Sequence, residues 1–190
     1  MSKMESLQNH FIIAMPNLED PFFQRSVTYI CEHNDEGAMG VVINHPIDVQ
    51  VADLLQQLEI KIASHDTPAL QQHVYAGGPL ARDRGFVLHR PSEKTWRSSL
   101  QISPEVVITT STDVLEDIAA GDFEQDYLIT LGYAGWEAGQ LEQELADNSW
   151  LTCAADAEVL FNTTAAERWQ KAAAMLGIDV WQLAPGAGHA

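Results

Sequence analysis

Apolar positions recur along this chain in two rhythms, one of period two that marks strands and one of period 3.6 that marks helices. Phe11 to Ala14 predicts a first strand, closed by Pro16 and followed by the turn-rich stretch from Asn17 to Pro21. Val27–Glu32 and Ala38–Asn44 predict two strands separated by HNDEG, and Asn34 and Gly37 at the first and fourth turn positions suit a type I turn, so the pair reads as an antiparallel hairpin. Asn44, His45 and Pro46 end its second strand. Val51, Leu54, Leu55 and Leu58 then repeat at helical spacing, with Asp48 or a polar neighbour as cap, and Ile60 to Leu70 reads as loop. His73–Ala76 and Gly85–His89 are short strand-like runs on either side of Gly77-Gly78-Pro79, where two glycines allow close backbone approach. Val106–Thr109 predicts a further strand, and Val114, Leu115 and Ile118 a helix capped from Thr110–Asp113 and ended by Gly121.

The stretch from Tyr127 to Leu151 organises the rest. Tyr127–Leu131 reads as a buried strand, Gly132 and Gly135 as the brackets of a turn, and Trp136–Leu145 as an amphipathic helix. In that helix Trp136, Gln140 and Glu144 share one face while Leu141 and Leu145 pack on another, so a polar line topped by a tryptophan borders a candidate cleft. Trp150–Cys153 follows as a strand and Ala157–Phe161 as a short helix. Thr164 and Glu167 form a capping-box pattern for a last helix with Trp169, Ala172, Ala173 and Leu176 on one face and Gly177 at its end. Residues 1–8 and 184–190 read as flexible. Because an early hairpin interrupts any strict alternation of strand and helix, the pattern predicts one α+β domain over 1–190 with a mixed sheet and flanking helices.

Charge narrows the function. Twenty-seven acidic against 10 basic side chains leave a net charge of −17, which repels phosphate backbones and argues against direct nucleic-acid binding. From Ser98 to Glu167 there are 14 Asp or Glu and no Lys or Arg, whereas Arg82, Arg84, Arg90, Lys94 and Arg97 hold half of all basic residues. That basic segment reads as a solvated loop neutralising nearby carboxylates, with an anion-facing patch as the alternative. Cys31 and Cys153 sit in apolar stretches without a CxxC and read as reduced core residues. No secretory signal or membrane-length apolar run is present in the sequence, so the expected location is cytoplasmic.

Four segments in order, AMPNLEDPFFQRSV (14–27), CEHNDEGAMGVVINHP (31–46), YAGGPLARDRGFVLH (75–89) and LGYAGWEAGQLEQELADNSWL (131–151), resemble the successive signatures of the bacterial YqgE/AlgH family. The similarity extends to Phe161, Trp169 and Leu176-Gly177. It implies a compact α+β fold with a bifurcated mixed sheet. The family's name comes from a proposed regulatory role in alginate production, and transcriptional regulation has been suggested for it. The family has no agreed catalytic residues, so the resemblance supplies a place and no mechanism.

No nucleophile elbow, phosphate loop, zinc-protease or EF-hand pattern occurs, and no cofactor or metal site is expected. His33-Asn34-Asp35-Glu36 reads as a solvated hairpin turn. The leading reading is a non-catalytic regulatory protein that binds a small ligand or a protein partner in a cleft walled by Asn44, the Gly77, Gly78 and Pro79 loop, and Gly132, Gly135, Trp136 and Gln140. The alternative is a hydrolase with His45 or His89 as base beside Glu144. A DNA-binding regulator is the third reading, and the charge disfavours it.

Overall fold

A computed structural model describes residues 6–15, 18, 20–63 and 67–177. The flexibility expected for 184–190 and the closure of the first strand at Pro16 lie outside these residues. The elements run in the order β1 (His10–Ala14), β2 (Val27–Asn34), β3 (Gly37–Val42), β4 (Pro46–Gln50), α1 (Val51–Gln57), a 3-10 turn (Pro68–Gln71), β5 (His73–Ala76), β6 (Leu80–His89), β7 (Ser99–Ser103), β8 (Val106–Thr109), α2 (Asp113–Ala120), β9 (Tyr127–Glu137), α3 (Gln140–Ala146), β10 (Trp150–Ala154), α4 (Ala157–Phe161) and α5 (Ala165–Ala174). The fold is α+β, with one mixed sheet of order β10-β1-β2-β3-β9-β6-β8-β7 and a branch in which β4 pairs β5 and β5 pairs β9.

The sheet forks at β9. Its Ala134–Glu137 half pairs antiparallel with β3, while Thr130 and Leu131 pair in parallel with β5 on the same edge. Its other edge carries β6 from Leu80↔Tyr133 to His89↔Tyr127. Because β5 and β6 flank β9 on opposite sides, the three residues 77–79 that join them must pass across the face of β9. Only glycine fits where the two backbones meet, at Gly77, Gly78 and Gly132. A Cβ on Gly78 would sit 1.9 Å from the Tyr133 carbonyl carbon, and one on Gly132, whose φ is +82°, would sit 2.5 Å from the Gly78 carbonyl oxygen.

Three apolar layers result. The central one, with Phe11, Tyr29, Val41, Phe86, Leu88 and Leu128, lies inside the curl of the sheet and is closed by Val159, Leu160 and Ala172 of α4 and α5. A second, under α1 and α2, contains Leu55, Val87, Val114, Trp96 and Ile129. The third is thin: Ile12, Ile30, Ala134, Trp136 and Trp150 against Leu141 of α3. Residues 128 and 133 face the central layer whereas 134 and 136 face the third, so the odd step at Gly132 exchanges the faces of β9.

Several local expectations change. Trp136 belongs to β9, and neither Gly132 nor Gly135 is in a turn between elements; the strand runs on to Glu137 because β3 pairs with its far half. Of the two cap candidates for α1, Asp48 lies in β4 and the polar neighbour holds: Gln50 caps the helix with Asp53 in a reciprocal pair of side-chain bonds. Thr164 does precede α5 but its side chain makes no cap bond. Among the described residues the unanticipated β7 pairs only with β8, and it carries mostly exposed side chains, so the alternation that marks a buried strand is weak there. Cys31 and Cys153 are free; β1 separates their strands, which at roughly 4.8 Å per strand exceeds disulfide reach.

Candidate functional site

The site grows from the end of β9. After Glu137 the chain turns through Gly139, whose φ of +77° sets the start of α3, and the Gln140 carbonyl side-chain oxygen accepts the Glu137 amide at 2.9 Å. Helix α3 buries Leu141 completely, which turns Gln140 and Glu144, one helical turn apart, toward β9. Glu144 is the hub. Its Oε1 accepts the indole N–H of Trp136 at 3.0 Å and that of Trp150 at 2.9 Å, and its Oε2 accepts the Gln140 amide at 3.0 Å. The expected association of Trp136, Gln140 and Glu144 is therefore present, although it is built from a strand and a helix and not from one helical face.

These groups line a cleft of about 380 Å³ together with Pro79, Leu80, Gly135, Phe23 and Asp20. Phe23 meets Trp150 edge-on at 5.5 Å and Trp136 at 6.3 Å. It is held there by Asp20, whose Oδ1 accepts the amides of Phe22 and Phe23 at 2.8 and 3.3 Å. Beyond Trp136 and Leu80 the cleft opens into a shallow groove bordered by Glu36, Tyr133 and Glu137. Leu80 stands at the junction and is 44 % exposed.

The other sequence candidates divide. Pro79 and Gly135 are cleft walls. Gly77, Gly78 and Gly132 form the backbone crossing that brings Pro79 and Leu80 to the cleft. Asn44 accepts the Val27 amide and donates to the Arg25 carbonyl, both at 2.9 Å, and so fastens the start of β2 to the end of the hairpin; it does not border the cleft. His89 accompanies Tyr127 in the sheet, nine residues from Trp136, roughly 30 Å of strand away from Glu144's partners. Its ring is enclosed by Trp96 and Phe123, donates from Nδ1 to the Arg90 carbonyl and accepts at Nε2 from Thr109. His45 packs on Phe22 at 5.8 Å, one ring removed from Phe23. Burial lowers the pKa of both imidazoles. Neither forms a hydrogen bond to Glu144 among the described residues; Glu144 accepts instead from the two indoles and the Gln140 amide.

A histidine–glutamate contact exists elsewhere. His33 is buried, in place of the solvated turn expected for it, and its Nε2 lies 2.7 Å from Glu142 Oε1. Its Nδ1 accepts the Leu7 amide at 2.8 Å, so the proton resides on Nε2 and neither ring nitrogen is left to act as a base. In the basic segment Arg90 pairs with Asp126 and Glu158, Lys94 with Asp117, and Arg97 with Asp113, the neutralising role expected of a surface loop, whereas Arg82 and Arg84 lie in strand β6, and Arg84 stacks on the Phe86 ring. The sequence reading missed Phe23, Asp20, Leu80 and Trp150 as cleft residues. Trp150 had a signal in its place just after α3; β10 pairs with β1, and the Trp150 ring meets that of Trp136 at 6.2 Å.

Among the described residues no helix is long and apolar enough to cross a membrane. A family model described as AlgH-like matches residues 11–181. A UPF0301 protein of Idiomarina loihiensis is 57 % identical over 187 residues, covering 98 % of this chain and 100 % of that protein. A UPF0301 protein of Yersinia enterocolitica is 56 % identical over 97 % of this chain and 100 % of its own length. The solution structure of the AlgH protein from Pseudomonas aeruginosa superposes with a TM-score of 0.78 at 49 % identity, covering 100 % of this chain and 99 % of that one. A Corynebacterium diphtheriae protein at 20 % identity shares the fold with a TM-score of 0.70, over 98 % of this chain and 91 % of its own. With its whole length matched by these relatives, the chain belongs to the AlgH-like family.

Proposed function

We propose that this chain is a non-catalytic regulatory binding protein that takes a small ligand, or a side chain of a protein partner, in the cleft between β9, α3 and residues 79–80. One observation carries the reading: a half-buried carboxylate, Glu144, is fixed by three neutral donors at the wall of an open, aromatic-lined cleft. Fixing a carboxylate by neutral donors costs desolvation that apolar packing at the same place would avoid. Such an expense suits recognition, where a few placed polar groups in an apolar cleft fix the orientation of what binds. Trp136, Leu80, Gln140, Glu144 and Trp150 come from strands and a helix, and the 20–23 turn that adds Asp20 and Phe23 is braced by the Asp20 side chain, so the site is preorganised.

The test is a thermal-shift screen of metabolites and amines on the wild-type protein and on a Leu80→Ser, Gln140→Ala variant, which removes an apolar wall and a donor to Glu144 without adding charge to the cleft. Both residues are exposed, so the variant spares the core. A compound present at about 100 times its dissociation constant stabilises the fold by about 2.7 kcal/mol. Hits that disappear in the variant support the cleft; hits that persist unchanged place binding elsewhere and overturn the reading.

A further inference from the structure

Resting on the cleft assignment above, we infer that the group this cleft recognises is an organic cation on a short apolar stem, an alkylguanidinium or alkylammonium. Two carboxylates face the cleft, Glu144 from α3 and Asp20 from the 20–23 turn. Glu144 accepts two N–H groups at Oε1 and one at Oε2, all from neutral donors. A carboxylate has about four acceptor positions, so Oε2 keeps one open. Asp20 uses Oδ1 for its two amides and leaves Oδ2. Among the described residues neither carboxylate has an ion-pair partner, in contrast to Asp113, Asp117, Asp126, Glu142 and Glu158. Among the described residues the cleft thus holds negative charge without a resident cation, which repels phosphates and carboxylates and attracts a positive head group.

The remaining walls say what the head group is attached to. Pro79 and Leu80 present apolar surface along one side, and Phe23, Trp136 and Trp150 supply aromatic rings, which favour cations and above all the planar guanidinium. An inorganic cation would waste these walls, and a neutral apolar ligand would leave the carboxylates desolvated and unpaired. A head group donating to Oε2 of Glu144, with its stem along Pro79 and Leu80, uses both kinds of surface. The same chemistry is available from a free amine and from an arginine or lysine side chain of a partner protein.

Tryptophan fluorescence titration tests this with agmatine, cadaverine, the uncharged N-butylurea, in which urea replaces the guanidinium and the distal amine is absent, butanoate and the peptide Ac-Gly-Arg-Gly-amide. The expected result is saturable binding of agmatine at least about tenfold tighter than N-butylurea, and a loss of about tenfold or more in Glu144→Gln, as for a charge-assisted hydrogen bond. Asp20→Asn, which keeps the acceptor for Phe22 and Phe23 while removing the charge, should weaken agmatine as well, and circular dichroism melts establish that both variants are folded. Peptide binding tighter than agmatine assigns the cation to a protein partner, and the reverse assigns it to a free amine; either supports the inference. Equal binding of N-butylurea, tighter binding of butanoate, or unchanged agmatine affinity in both folded variants overturns it while leaving the cleft intact. If no probe of any charge binds, the inference falls, and the thermal-shift screen decides separately whether the cleft reading falls with it.

Discussion

Arg168 fixes α5 to the fork of the sheet, and its replacement by methionine is expected to lower stability by about 3–5 kcal/mol. The residue is 2 % exposed. Its guanidinium donates to the carbonyls of Leu160 at 3.0 Å, Thr163 at 3.2 Å and Val159 at 3.3 Å, and to that of Ile43, which lies next to the residue bonded to Gly77. It also lies 5.0 Å over the Tyr75 ring, and among the described residues no carboxylate pairs with it. Four hydrogen bonds from a charged donor contribute about 1.5–3 kcal/mol each, roughly 6–12 in all. Against this stands the desolvation of the buried ion, several kcal/mol. Methionine refills much of the volume, so the cavity adds little. With an m value of about 2 kcal/mol/M, the urea midpoint followed by circular dichroism should fall by about 1.5–2.5 M. Arg168→Lys should recover less than half, because an ammonium cannot span four carbonyls and stack on the ring. A loss below about 1 kcal/mol in the methionine variant would show that desolvation cancels the bonds, and the reasoning would be refuted.

Gly78→Ala should leave little folded protein by heteronuclear NMR, since its Cβ would meet strand backbone at 1.9 Å and the crossing has no flexible side chain to yield; a native spectrum would contradict the crossing geometry. His33→Gln should cost about 1–2 kcal/mol and speed hydrogen exchange at the Leu7 amide, which loses its acceptor; unchanged exchange would mean that the imidazole does not hold the segment. Burial pushes the Cys153 thiol up to about 11 and that of fully buried Cys31 higher still, so disulfide-exchange labelling of the native protein should begin at Cys153 and rise about tenfold per pH unit from pH 7 to 9; a pH-independent rate would show that opening of the fold limits it. His45 and His89 both titrate below their ordinary 6.5 because burial disfavours the imidazolium, so their contribution to stability is complete above that value and is lost as pH falls toward the folded-state values. The melting temperature should therefore drop below about pH 6.5, and less steeply in His89→Gln; parallel curves would remove His89 from that slope.

Much of the architecture was legible because burial wrote it into short patterns. The hairpin around Asn34 and Gly37, the helix on Val114, Leu115 and Ile118, and the α+β class all follow from periodicity and turn chemistry. What periodicity does not carry is which strand a glycine is crossing. Gly132 and Gly135 have the local signature of a turn, and only the pairing of Gly135 with Met39 and the packing of Gly132 under Gly78 make them part of one long strand. The residues Trp136, Gln140 and Glu144 were grouped correctly although the helix was started four residues early, since a strand running into a helix through Gly139 brings the same side chains together. Phe23, Asp20 and Leu80 were not legible as cleft residues, because nothing in their own segments tells that the sheet order delivers them to the end of β9. Arg168 was not singled out from the sequence; it lies one turn before Ala172 of the apolar face, and the carbonyls at the end of α4 and at Ile43 account for the burial of its charge.

The central claim is that the cleft beside Glu144 is where this protein binds. It is tested most directly by following the tryptophan indole N–H signals of the ¹⁵N-labelled protein through a fragment library that spans cationic, neutral and anionic compounds. Trp136 and Trp150 both donate to Glu144, whereas Trp96 donates to Asp117 and Trp169 packs against the central core, so the indole signals report separate places. The account predicts that binding fragments shift the Trp136 and Trp150 indoles together and leave those of Trp96 and Trp169 in place. Fragments that bind while the Trp136 and Trp150 signals stay fixed would contradict it.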